Sequence, residues 1–161
     1  MAASPNASPS SSSTEPPPAN TRNHSVNRPS LDAFVLRAKT CIGLNGQVNV
    51  LLADDATLKN LNREYRGKDK ATDVLSFPAL QIEGASEPFA GDLAVSLDTA
   101  ARQAAEHGHS LQVEVKILLL HGLLHLAGYD HETDSGEMRQ REAELRTRFR
   151  LPTGLITRSR R

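Results

Sequence analysis

From Ser30 onward, apolar and polar residues alternate with periods that name their own elements. Leu31, Phe34, Val35, Ala38, Cys41 and Ile42 recur at spacings of three and four, which predicts an amphipathic helix capped by Ser30 or Asp32 and stopped at Gly43. Val48, Val50 and Leu52 alternate as in a strand. Asp54 and Asp55 open a second helix carrying Leu58, Leu61 and Tyr65, which Gly67 ends. Asp73 to Pro78 reads as a strand cut off by proline, followed by a loop to about Ala90. Leu93, Val95 and Leu97 alternate again behind Gly91-Asp92, and a helix follows from about Asp98 to His109. The segment from Ser110 to about Ala127 is apolar on nearly every side, the pattern of a central, buried helix. A last helix spans about Ser135 to Phe149 and closes among arginines, which suits its dipole.

Helices and strands interleave irregularly, and the connection from Phe77 to Val95 is too short for a helical crossover. The expected class is therefore α+β, with a small mixed, partly antiparallel sheet packed with helices around the buried one. Residues 1–30 depart from this patterning: they hold six of the nine prolines and eight serines, too little apolar surface to offset ordering, and are expected to be a disordered tail. A single domain is expected over residues 31–154, with a basic tail at 155–161. No run approaches the 18 apolar residues of a membrane span. The lone Cys41 excludes intramolecular disulfides and a multi-cysteine zinc site. These features predict a soluble, intracellular protein.

The chemistry is concentrated in His121-Gly-Leu-Leu-His125-Leu-Ala-Gly128-Tyr-Asp-His131. His121 and His125 lie one turn apart on the buried helix, so both imidazoles can meet one ion. Gly128 can end the helix in the left-handed conformation, and His131 can add a third nitrogen from the loop beyond. Three imidazoles suit a borderline cation such as zinc and leave a position open for water, as catalytic sites do. His24 falls in the tail, while His107 and His109 flank a glycine at a helix end and are expected to be solvated. The spacing matches the metzincin protease pattern, except that Gly122 stands where the proteolytic glutamate would be. Glycine takes no proton, so the cradle is present and the peptidase base is missing.

Three blocks together resemble a known family, the YbeY endoribonucleases. They are Leu61-Asn-Arg-Glu-Tyr-Arg-Gly-Lys-Asp69 with Thr72-Asp-Val-Leu-Ser-Phe-Pro78; Gly91-Asp-Leu-Ala-Val-Ser96; and the histidine block through Gly128-Tyr-Asp-His131. The resemblance covers most of residues 45–150. It implies a zincin-like, zinc-dependent, single-strand-specific endoribonuclease holding one Zn2+. It further implies action in ribosomal RNA processing (small-subunit rRNA 3′ end maturation) and ribosome quality control. The implied partners are single-stranded ribosomal RNA and the small ribosomal subunit, with no DNA and no membrane, in the cytoplasm. Its metal ligands carry over to His121, His125 and His131, and its essential arginine to Arg66.

A guanidinium makes bidentate contacts to phosphate, so Arg66 is the expected clamp, with Lys68 as an added point charge in substrate binding. By itself, Arg66-Gly-Lys-Asp-Lys70 reads rather as a solvated charge cluster; the resemblance reverses that for Arg66 and leaves Lys68 open. Asp130 either orients an imidazole or caps a turn; Ser76 and Asp73 are candidates to line the cleft. Residues 31–161 carry 17 basic and 18 acidic groups, so any basic footprint is local. The arginines from Arg146 to Arg161 are the candidate phosphate contacts. A zinc hydrolase with a protease-like role and a non-catalytic ribosome assembly factor are the alternatives.

Overall fold

The computed structural model describes residues 24–79, 89–130 and 132–153. They form five helices and three strands: α1 (Arg28–Ile42), β1 (Gln47–Ala53), α2 (Asp55–Arg66), β2 (Val74–Pro78), β3 (Phe89–Ser96), α3 (Leu97–His107), α4 (Leu111–Leu126) and α5 (Glu137–Arg148). The class is the expected α+β. The tip of the connection between β2 and β3, the first 23 residues and the end beyond Thr153, including most of the expected disordered tail and the basic 155–161 segment, lie outside the described residues.

The start of α1 differs from expectation. Asn27 caps it, its side chain accepting from the Ser30 amide at 3.0 Å, and Pro29 sits in the first turn. Proline lacks an amide hydrogen that the first turn would leave unbonded anyway, which is why it belongs inside the helix rather than in the tail. Folded structure reaches back further still: His24 Nε2 lies 3.0 Å from Asp98 Oδ1, tying the segment before α1 to α3. Asp54 and Ser110 cap α2 and α4 as their positions suggested, accepting from the amides of Thr57 and Val113.

The sheet has the order β1-β3-β2, with β1 parallel and β2 antiparallel to β3. β3 is longer than its alternation indicated, because Gly91 lies inside the strand rather than ahead of it. The pairing with β1 shifts register there, Val48 facing Gly91 while Gln47 faces Phe89. Gly91 has φ +147°, and a Cβ on it would stand 2.5 Å from the Phe77 carbonyl oxygen and 2.8 Å from Leu126 Cδ2. Only glycine lets the strand pass between its neighbour and the end of α4.

α4 fills the centre. Val115, Ile117, Leu118, Leu119, Leu120, Leu123 and Leu124 are fully buried between the sheet and helices α1, α3 and α5. Each such side chain contributes about 2 kcal/mol of apolar burial. Among the described residues the other face of the sheet is packed by α2, through Leu58 against Leu75 and Ala94. Among the described residues no helix is long and apolar enough to cross a membrane.

Asp55, at the start of α2, ties that helix to the β3–α3 junction. Its Oδ1 accepts from Ser96 Oγ and Thr99 Oγ1, both at 2.6 Å, and its Oδ2 from Arg102 at 3.0 Å. Burial pushes the carboxyl up, but these donors outweigh it and hold Asp55 below the usual carboxylate range. The unfolded chain then binds this proton more readily than the folded one, so the stabilisation is full above the ordinary aspartate range and fades as pH falls through and below it. Asp55→Asn is expected to lower Tm at pH 7 and to flatten the fall in Tm between pH 5 and 3, measured by thermal melts across that range. Gly91→Ala is expected to cost about 2–4 kcal/mol in denaturant unfolding, through left-handed strain and the backbone clash together.

Candidate active site

The chain brings His121 and His125 together because they are one turn apart on α4, with ring centroids 4.7 Å apart and Nε2 atoms 3.2 Å apart. Each ring is fixed by its outer nitrogen. His121 Nδ1 lies 3.1 Å from Glu142 Oε1, on α5, and His125 Nδ1 lies 3.1 Å from the Tyr129 carbonyl oxygen. A carbonyl can only accept, so His125 carries its hydrogen on Nδ1. Glu142 is held as a carboxylate by Arg146, whose Nη2 and Nε donate to Oε2 at 2.6 and 3.1 Å, so His121 likewise donates from Nδ1. In the neutral rings both Nε2 atoms then present lone pairs to each other. Two lone pairs at that distance repel unless a proton or a cation lies between them.

The spacing fits a cation. Two nitrogens bound at about 2.0–2.1 Å to one tetrahedral zinc stand roughly 3.3 Å apart. Outer-nitrogen bonds to a carboxylate and a backbone carbonyl are what orient imidazole ligands at metal centres. The Tyr129 carbonyl is delivered by the turn that ends α4: Gly128 takes φ +102°, and the amides of Gly128 and Tyr129 bond back to His125 and Leu124. His131, the third expected ligand, lies outside the described residues.

The pair opens into a cleft of about 350 Å³ whose lining includes Arg66, Ser76, Pro78, Tyr129, Asp130 and Glu132. Arg66, in the last turn of α2, is exposed, and among the described residues its guanidinium makes no ion pair. Lys68 is exposed and is not among the residues lining the cleft. Ser76 Oγ donates to the Gly122 carbonyl at 3.2 Å, closing one wall. Asp130 lines the cleft but acts as a turn cap: its Oδ1 accepts from the Glu132 amide. Asp73 does not line it; it is buried, and its Oδ2 accepts from Gln103 Nε2.

Three sequence expectations are corrected here. Arg146 is 1% exposed and spent on Glu142 and on the Pro152 carbonyl, so it is not available to an external phosphate. Arg148 and Arg150 are exposed. His109 is not solvated: its Nε2 lies 2.6 Å from the buried Glu114 Oε1, and with His107 these residues form a group of donor atoms within 4.8 Å of one another that could hold a metal ion. His24 is bonded to Asp98 rather than loose. Sequence reading missed Glu142 altogether; the Glu142–Arg146 spacing of four was the available signal, but it is the ordinary spacing of a surface pair.

The sequence matches the family described as Endoribonuclease YbeY over residues 20–150. The chain belongs to the YbeY endoribonuclease family. It is 52% identical over 134 residues to the Endoribonuclease YbeY of Koribacter versatilis, covering 83% of this chain and 85% of that one. With the Endoribonuclease YbeY of Nautilia profundicola it shares 51% identity over 112 residues, 70% of this chain and 78% of that one. A solution structure of TM1509 from Thermotoga maritima aligns at 27% identity with a TM-score of 0.49, covering 76% of this chain and 83% of the other. Membership of this family makes the chain an enzyme, a hydrolase.

If Glu142 orients His121 as a metal ligand, Glu142→Gln should weaken zinc binding about 10- to 100-fold. A chelator-competition titration measures this, with circular dichroism checking that the helices persist.

Proposed function

We propose that this chain is a zinc-dependent endoribonuclease specific for single-stranded RNA. It acts in the cytoplasm on ribosomal RNA, in maturing the small-subunit rRNA 3′ end and in ribosome quality control. The observation that carries the reading is the pair of inward-facing imidazole nitrogens, 3.2 Å apart, beside an exposed arginine in one cleft.

His121, His125 and His131 would hold one Zn2+, a zincin-like donor set of three nitrogens. When bound, the ion supplies Lewis acidity that lowers the pKa of water and stabilises charge on a phosphoryl oxygen. Arg66 contributes what a metal alone does not: a planar fork that grips two phosphate oxygens and fixes the strand in register with the imidazoles. Lys68, two residues further on and beyond the end of α2, adds positive charge to the approach of the RNA rather than to the cleft. Glu142 and the Tyr129 carbonyl hold the two rings so that little reorganisation accompanies binding.

A peptidase reading is disfavoured by Gly122. It supplies no base, and a Cβ there would stand 2.7 Å from Leu93 Cδ2 and 3.2 Å from Ser76 Oγ. A purely structural metal is disfavoured because such sites are closed by four protein ligands, whereas this pair faces an open cleft.

Metal analysis alongside cleavage of a labelled single-stranded RNA tests the proposal. His125→Ala is expected to lose both metal and cutting. Arg66→Ala should keep the metal and lose cutting by about 100-fold or more, the scale on which removing one charge-stabilising donor acts. Cleavage of casein but not RNA, or full activity of Arg66→Ala, would overturn the reading.

A further inference from the structure

A second cavity, of about 610 Å³, lies on the opposite face of the sheet from α4, in the part that α2 leaves uncovered. Its walls are apolar: Leu51 (48% exposed), Leu61, Phe77 and Tyr65 (67% exposed). Asn49 and Asp92 form one polar end, with Asn49 Nδ2 donating to Asp92 Oδ1 at 3.1 Å. Pro78, the last residue of the edge strand β2, lines both this groove and the cleft, so the two meet around that edge.

We propose that this groove is a nucleobase subsite, in which Tyr65 stacks a base of the same single-stranded RNA whose backbone Arg66 holds at the cleft. The proposal rests on the endoribonuclease reading and extends it.

Adjacent residues on a helix diverge by about 100°, so the last turn of α2 sends Tyr65 into the groove and Arg66 into the cleft. An aromatic beside a phosphate-binding cation is the working unit of single-strand recognition, because every base offers a π-face and the backbone charge is shared by all sequences. The Tyr65 ring does not swing freely: it meets Phe77 edge-to-face, with centroids 5.5 Å apart and planes at 68°. Held in this way the residue is still 67% exposed, which leaves ring surface for a partner. The groove volume falls in the range of small-ligand sites, about 300–1,000 Å³, and an apolar body with a few convergent polar groups is how such sites are built. Asn49 and Asp92 offer both donors and acceptors to a base edge. Continuity with the cleft favours RNA over a docked protein, since the two share Pro78 and neighbouring residues of α2 line one each.

The test is an abasic scan. One single-stranded RNA is prepared as a series, each member lacking one base near the cleavage position, and kcat/KM is measured for the wild type, Tyr65→Ala and Phe77→Leu. In the wild type, one abasic position should lower kcat/KM roughly 5- to 150-fold, the range of a single base–aromatic stack, mostly through KM. Tyr65→Ala should cut the intact RNA more slowly by a similar factor and lose its sensitivity at that position, while Phe77→Leu should show a smaller version of both effects. Cleavage of the RNA with no sensitive position, or an undiminished abasic penalty in Tyr65→Ala, overturns the subsite and leaves the nuclease reading intact. If the wild type cuts no RNA, titration with the same oligomer carrying 2-aminopurine decides separately. Quenching by the wild type that Tyr65→Ala lacks supports stacking, and equal signals overturn it.

Discussion

Two imidazole nitrogens facing each other with their lone pairs inward is the constraint from which the rest of the centre follows. Left alone, such a pair would turn apart. Here neither ring can turn, because each is bonded through its outer nitrogen to a group that only accepts: a carboxylate on α5 and a backbone carbonyl in the turn after α4. The carboxylate is fixed in its turn by Arg146, and Arg146 by the Pro152 carbonyl. A chain of bonds therefore runs from the bottom of the cleft to the far end of the last helix. Breaking any member would leave a buried charge or a misdirected ring.

The helix that carries both rings is apolar almost all round because β2, β3, α1, α3 and α5 pack against it. Gly91 and Gly122 serve that packing. Both are places where the sheet and α4 approach more closely than a side chain would permit. The histidines are thus mounted on the most confined element of the fold, and Arg66 on one of its more exposed helices.

Much of this was legible from residue pattern. The period of α4, the caps Asp54 and Ser110, and the short antiparallel connection after Pro78 all declare themselves locally, because each depends on neighbours in the chain. His121 and His125 are legible for the same reason: a spacing of four on one helix guarantees contact. What could not be read is what depends on partners distant in sequence. One miss was local: Asn27 rather than Ser30 caps α1, because Pro29 suits the first turn. Glu142 looked like one more charged residue on a charged helix until α5 was laid against α4. Arg146 looked available for the same reason, and its burial shows that counting arginines along a segment says little about which face water. The pairing of Tyr65 with Phe77 belongs here too, since 12 positions separate them and only the α2–sheet contact joins them.

Gly122 has a further meaning for how this protein could change over generations. The histidine spacing it interrupts differs from that of a large peptidase group at this one position, which invites the idea that a single codon separates the two chemistries. Packing closes that route. A glutamate at 122 would be driven against the buried Leu93 side chain and the Ser76 hydroxyl, so both would have to shift before its carboxylate had anywhere to go. Interconversion would require compensating changes at Leu93 and Ser76 on the strands beneath. Similar spacing here marks a shared geometric solution, not an easily crossed boundary.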